Sequence, residues 1–168
     1  MSDSIIKNEK IVTFAGHRHP WRCIGIENKL PTLLEELINK GYTIFYNGVM
    51  GEFDKICEYA LAELKKKYEH IKIYKIINAY SQKKEKMQLP SYYEGSILPD
   101  IEELFFKQKI IKKNEWMVES CDLLICHIEE NYKSGAYRTV KYARKINKPI
   151  IYIWTIKKST KSGALFYI

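Results

Sequence analysis

Three short stretches of the chain combine glycine with charged or hydroxyl side chains in arrangements that suit a phosphate group. In AGHRHPW, residues 15–21, Gly16 gives backbone access, Arg18 is a phosphate partner, and His17 or His19 is a hydrogen-bond donor or general acid. In NGVMGEFD, residues 47–54, Gly48 and Gly51 lie three apart and Asp54 follows, either capping a helix or accepting hydrogen bonds from a ribose. The two glycines are expected to supply positive φ angles and close backbone approach, and the helix after them to offer unpaired N–H groups. In SGAYRT, residues 134–139, Gly135 opens another helix, Arg138 offers a charged fork and Thr139 a hydroxyl. None of the three is the dinucleotide G-x-G-x-x-G or the G-x-x-x-x-G-K-[ST] phosphate loop, so no cofactor is expected on motif grounds.

The elements that must position these stretches follow from hydrophobic periodicity. KIVTFAG, residues 10–16, is a β-branched run that reads as a buried first strand. Leu30, Leu33, Leu34, Leu37 and Ile38 then recur at helical spacing, with Gly41 as the stop. YTIFYN is the second strand; the second helix, from EFDKIC to KKKYEH, buries Ile56, Ala60, Leu61 and Leu64 and ends in lysines that suit its dipole. IKIYKII, residues 71–77, is a third strand, followed by a long polar loop broken by Pro90. SIL is a brief fourth strand, residues 99–121 hold one or two helices, DLLICHI (122–128) is a strand, GAYRTVKYARKIN a helix and KPIIYIW a last strand. Strands alternating with helices make βαβ units, and hence an open, mainly parallel α/β sheet with helices on both faces. All three glycine stretches then fall at one edge of that sheet, where open α/β folds bind ligands.

The totals narrow the function classes. The 168 residues suit a single domain spanning the whole chain, 1–168. No apolar run approaches the roughly 18 residues of a membrane span, and MSDSIIKNEK has no export signal, so a cytoplasmic protein without membrane contact is expected. The four cysteines, Cys23, Cys57, Cys121 and Cys126, are not spaced as a disulfide framework or a zinc site, so no metal is expected. A net charge of +8 invites a nucleic-acid partner, but the lysines are scattered through every segment instead of gathered on one face, which ranks that reading lower. Trp21 and Trp116 are read as packing residues ahead of base platforms.

FAGHRHP, GVMGEFDKICEYAL and the block from NEWMVESCDLLICHI to SGAYRTVKYARKINKPIIYI resemble, in order and spacing, the YpsA-like branch of the SLOG superfamily. That superfamily has Rossmann-like domains and includes the Lonely Guy phosphoribohydrolases, the single-strand-DNA-binding DprA domain and nucleotide sensors. The resemblance implies ligand contacts from Gly16, His17, Arg18, Gly48, Gly51, Asp54, Asn114, Gly135, Ala136, Tyr137, Arg138 and Thr139, and a homodimer. Two positions depart from the family pattern: Ser134 stands in its glycine pair, and Lys113 replaces an arginine beside Asn114. The glutamate with which the phosphoribohydrolases stabilise an oxocarbenium-like charge falls at Lys141 or Tyr142, so no catalytic residue is assigned. The expected function is a nucleotide-binding sensor or adaptor for an adenine nucleotide or ADP-ribose-like ligand. A nucleotide N-glycosidase, using Glu52, Asp54 or Glu119 in place of the missing glutamate, is the first alternative; a single-strand nucleic-acid binder is the second.

Overall fold

The structure, a computed structural model, describes residues 9–78, 89–101 and 105–154. Six parallel strands form one sheet in the order β4-β3-β2-β1-β5-β6: β1 (Lys10–Gly16), β2 (Tyr42–Asn47), β3 (Lys72–Ile76), β4 (Gly95–Ile97), β5 (Leu123–His127) and β6 (Ile150–Tyr152). Four helices connect them: α1 (Ile26–Asn39), α2 (Glu52–Lys67), α3 (Phe106–Glu119) and α4 (Gly135–Lys145). A 3-10 turn, Pro20–Arg22, precedes α1. Most of the long loop after β3 and the C-terminal tail lie outside the described residues.

Alternation along β1 divides the interior in two. Val12 and Phe14 face the larger core, where Leu30 and Leu34 of α1 and Phe53 and Leu61 of α2 pack on Phe45, Ile73 and Ile125. Ala15, on the opposite face, joins the smaller core with Val118 of α3, Leu124 and Cys126 of β5, and Val140 and Ala143 of α4. Each face is thus covered by one helix pair, which is why β5, buried along its whole length, reads as a continuous apolar run. The stop at Gly41 follows from its φ of 89°, which a side chain would strain. All four cysteines are buried and free, and no helix among the described residues is long and apolar enough to cross a membrane.

The chain leaves β1 towards α1 on one face and β5 towards α4 on the other. Their adjacent carboxyl ends form the point where the strand order reverses, and a crevice opens there. Gly16, the last residue of β1, is required by packing: a Cβ there would stand 2.2 Å from the ring of Phe53, which is fully buried. Gly16→Ala is therefore expected to lower unfolding free energy by about 1–3 kcal/mol, read from urea denaturation, because the ring has no room to withdraw.

Candidate functional site

A cleft of ≈ 310 Å3 occupies this crevice. Its floor is the end of β1, Thr13 to Gly16; Gly48, Gly51 and Asp54 come from the β2–α2 segment, and Ile110, Asn114 and Met117 from α3. Arg18 and His19 contribute from the loop after β1, and Tyr132, Gly135, Ala136 and Thr139 from the loop after β5 and the start of α4. Nine residues expected from sequence thus line one cleft: Gly16, Arg18, Gly48, Gly51, Asp54, Asn114, Gly135, Ala136 and Thr139. The cleft lining does not include the other three, His17, Tyr137 and Arg138, and the Arg138 side chain belongs to an exposed residue.

The amino end of α2 corrects the expected role of the second glycine loop. The Glu52 and Phe53 N–H groups donate to Arg18 O at 3.1 Å and His17 O at 3.2 Å, so they serve the first loop and not a ligand. Gly51 has extended backbone and is needed because a Cβ would lie 2.7 Å from Arg18 Cα. The positive φ of this loop falls on neither glycine but on Val49, at 51°. Asn47 holds that turn: its Oδ1 accepts from Val49 N at 3.0 Å and its Nδ2 donates to Asp54 O at 2.9 Å. Asp54 Oδ2 accepts the Met50 N–H at 2.7 Å, the looping-back role of an acid in the first helical turn. Desolvation raises the Asp54 carboxyl above the ordinary carboxylate range, against the Met50 N–H and the charges of Lys113 and Arg18, which lower it.

The amino end of α4 is different. Ser134 caps it by accepting the Tyr137 N–H at 3.1 Å, while the Gly135 and Ala136 N–H groups have no acceptor among the described residues and belong to residues that line the cleft. A helix start with open donors and a positive dipole end is the local arrangement that receives anions. A Cβ on Gly135 would meet nothing within 4 Å, so this glycine answers no packing need of the chain itself. Thr139 Oγ1 donates to Gly135 O at 3.1 Å, bracing the first turn.

Several residues shape the site without standing in it. Lys113 is 1% exposed and its Nζ donates to Gly48 O at 2.8 Å, so it pins the glycine loop from beneath. Arg22 Nη1 binds Glu129 Oε2 at 2.7 Å and its guanidinium lies 4.0 Å over the Tyr132 ring, joining the first loop to the third. His17, expected as a donor to ligand, is fully buried and instead accepts the Glu129 N–H on Nε2 at 3.0 Å. These contacts join residues 65 to 112 apart, which is why local reading did not anticipate them.

The carboxylates considered for catalysis separate clearly. Asp54 lines the cleft, Glu52 pairs with Lys55 at 3.7 Å, and Glu119 takes the Tyr142 hydroxyl at the far end of α3. Lys141 is exposed. Trp116 packs parallel to Tyr46 at 5.8 Å, as expected, whereas Trp21 is 66% exposed and is no packing residue. Among the described residues no group of three His, Cys, Asp or Glu side chains could hold a metal.

Comparison with known proteins adds to this geometry. The acetone carboxylase gamma subunit family model matches residues 91–162, under half of the chain. No curated protein matches it in sequence. Among solved structures, the DNA processing protein A of Helicobacter pylori, described for its single-stranded DNA binding mode, is similar with a TM-score of 0.55 and 18% identity. The likeness covers 86% of this chain and 65% of that one, and at this identity it shows a shared Rossmann-like fold.

Burial lowers the His17 pKa from 6.5 to about 4, helped by the nearby His127 and opposed by Glu129. The unfolded chain therefore binds the extra proton, and the stability contributed by neutral His17, present above about pH 6.5, is lost as pH falls towards about 4. Urea midpoints measured across that window should fall with pH, and His17→Gln, which cannot titrate, should flatten the decline.

Proposed function

We propose that the chain is a nucleotide-binding module that holds an adenine nucleotide or ADP-ribose-like ligand in the cleft and acts as a sensor or adaptor. The observation that carries this reading is the pair of open N–H groups at Gly135 and Ala136, with Arg18 among the residues lining the same cleft at the sheet's switch point. Together they offer a phosphate two backbone donors, a helix dipole and a full positive charge. Asp54 and Asn114 supply the polar partners that a ribose needs. Membership of the YpsA-like branch of the SLOG superfamily belongs to this proposal, as do a single domain, a homodimer and a cytoplasmic location.

A second reading, single-strand nucleic-acid binding, draws on the net charge of +8 and on the DNA processing protein A likeness. It requires affinity for oligonucleotides that falls steeply with salt as counterions are released. The N-glycosidase alternative would have to rely on Asp54, the carboxylate of the cleft, since Lys141 and Tyr142 offer none.

Purified protein incubated with AMP, ADP-ribose, NAD and cyclic ADP-ribose, followed by chromatography of retained and free compounds, separates these readings. Retention of one compound intact supports the binding module, whereas accumulating free adenine or nicotinamide overturns it in favour of the glycosidase. For the retained compound, Arg18→Ala should weaken binding by about 10- to 150-fold, the worth of one charge-assisted hydrogen bond, while Arg138→Ala leaves calorimetric affinity unchanged.

A further inference from the structure

Trp21 sits on a hydrogen-bonded turn and yet is left open. Pro20 starts the turn, Arg22 N and Cys23 N donate to His19 O at 3.1 Å and Pro20 O at 2.9 Å, and Cys23 is buried. Arg22 is fixed from two sides, by the Glu129 carboxylate and by His127 Nε2, which lies 2.5 Å from Arg22 O. Between these anchored neighbours the indole lies parallel to the His19 ring, with centroids 4.6 Å apart and planes 9° apart. His19 lines the cleft, so the stack stands at the rim of that site, and its outer indole face meets no other ring among the described residues.

The size of the cleft bears on what this stack could meet. At ≈ 310 Å3 it sits at the lower end of the roughly 300–1,000 Å3 that small-molecule sites occupy, enough for a sugar phosphate. A flat base attached to that sugar would then extend past the rim, where the exposed indole face stabilises it by stacking.

We propose that the His19–Trp21 stack is the base platform of the cleft: the ligand places its sugar phosphate at Gly135, Ala136 and Arg18 and lays its base on the exposed indole. The proposal rests on the nucleotide reading above and deepens it. The same chemistry, a base carried on a sugar phosphate, is offered by a free mononucleotide and by the terminal residue of a single strand, and stacking tolerates any base.

The test measures calorimetric affinities of the wild-type chain, Trp21→Ala and Trp21→Phe for AMP, ribose 5-phosphate and a short oligothymidylate. Trp21→Ala is expected to weaken binding of the base-bearing ligand by about 5- to 150-fold while ribose 5-phosphate is unaffected, and Trp21→Phe to retain most of the affinity. A loss seen with AMP supports the platform for a free nucleotide; one seen with the oligothymidylate supports it for a strand. Unchanged affinity of Trp21→Ala for base-bearing ligands overturns the platform and leaves the nucleotide reading standing. So does an equal loss for ribose 5-phosphate, which would mark general damage to the site. Failure of the wild-type chain to bind any of the three overturns the platform, and the nucleotide reading falls with it if ADP-ribose, NAD and cyclic ADP-ribose are not retained either.

Discussion

The amino end of α2 is seated on the loop that follows β1, and the rest of the site depends on that contact. Two N–H groups of the first helical turn bind the carbonyls of His17 and Arg18. The approach is so close that side chains at Gly16 and Gly51 would collide with Phe53 and with the Arg18 backbone. The contact satisfies donors that burial would otherwise leave unpaired. It also carries Arg18 to the cleft and removes α2 as an anion site, leaving α4 as the helix whose open amides line the cleft.

Beneath the cleft the same constraint is met by polar groups taken out of water. The Lys113 ammonium is accommodated by the Gly48 carbonyl and by the nearby Asp54 carboxyl, which is itself fixed to Met50. His17 keeps a lone pair for the Glu129 N–H, and its Nδ1 has no partner among the described residues; burial holds the ring neutral. Groups of this kind stabilise little as isolated pairs, but removing one partner strands the other, so the three loops keep one arrangement.

Much of this was legible in the sequence, for identifiable reasons. The first two strands stand where KIVTFAG and YTIFYN placed them, because β-branched runs bounded by glycine or asparagine leave little choice. The bundling of three loops at one edge followed from parallel strands alone, and nine of the expected residues do line one cleft. What the sequence misled on was the reason for its glycines: the pair at 48 and 51 suggested unusual φ angles, whereas the left-handed residue is Val49 and Gly51 answers crowding. It named both Arg18 and Arg138 for a phosphate, and of the two only Arg18 is among the residues that line the cleft. Lys113 stood out only as a departure from the resembled family's pattern; long-range packing reveals it as an internal strut.

The division of the interior into two cores has a mechanical meaning for the cleft. The wall from α2 is seated in the larger core, and the walls from α3 and α4 in the smaller one. They are joined through the sheet and through the clasp of Arg22 on Glu129 and Tyr132. The gap between the walls therefore registers how one half of the molecule is set against the other. A change as remote as a repacked Val140 or Ala143, on the hidden side of α4, would shift the helix start whose open amides belong to the cleft lining.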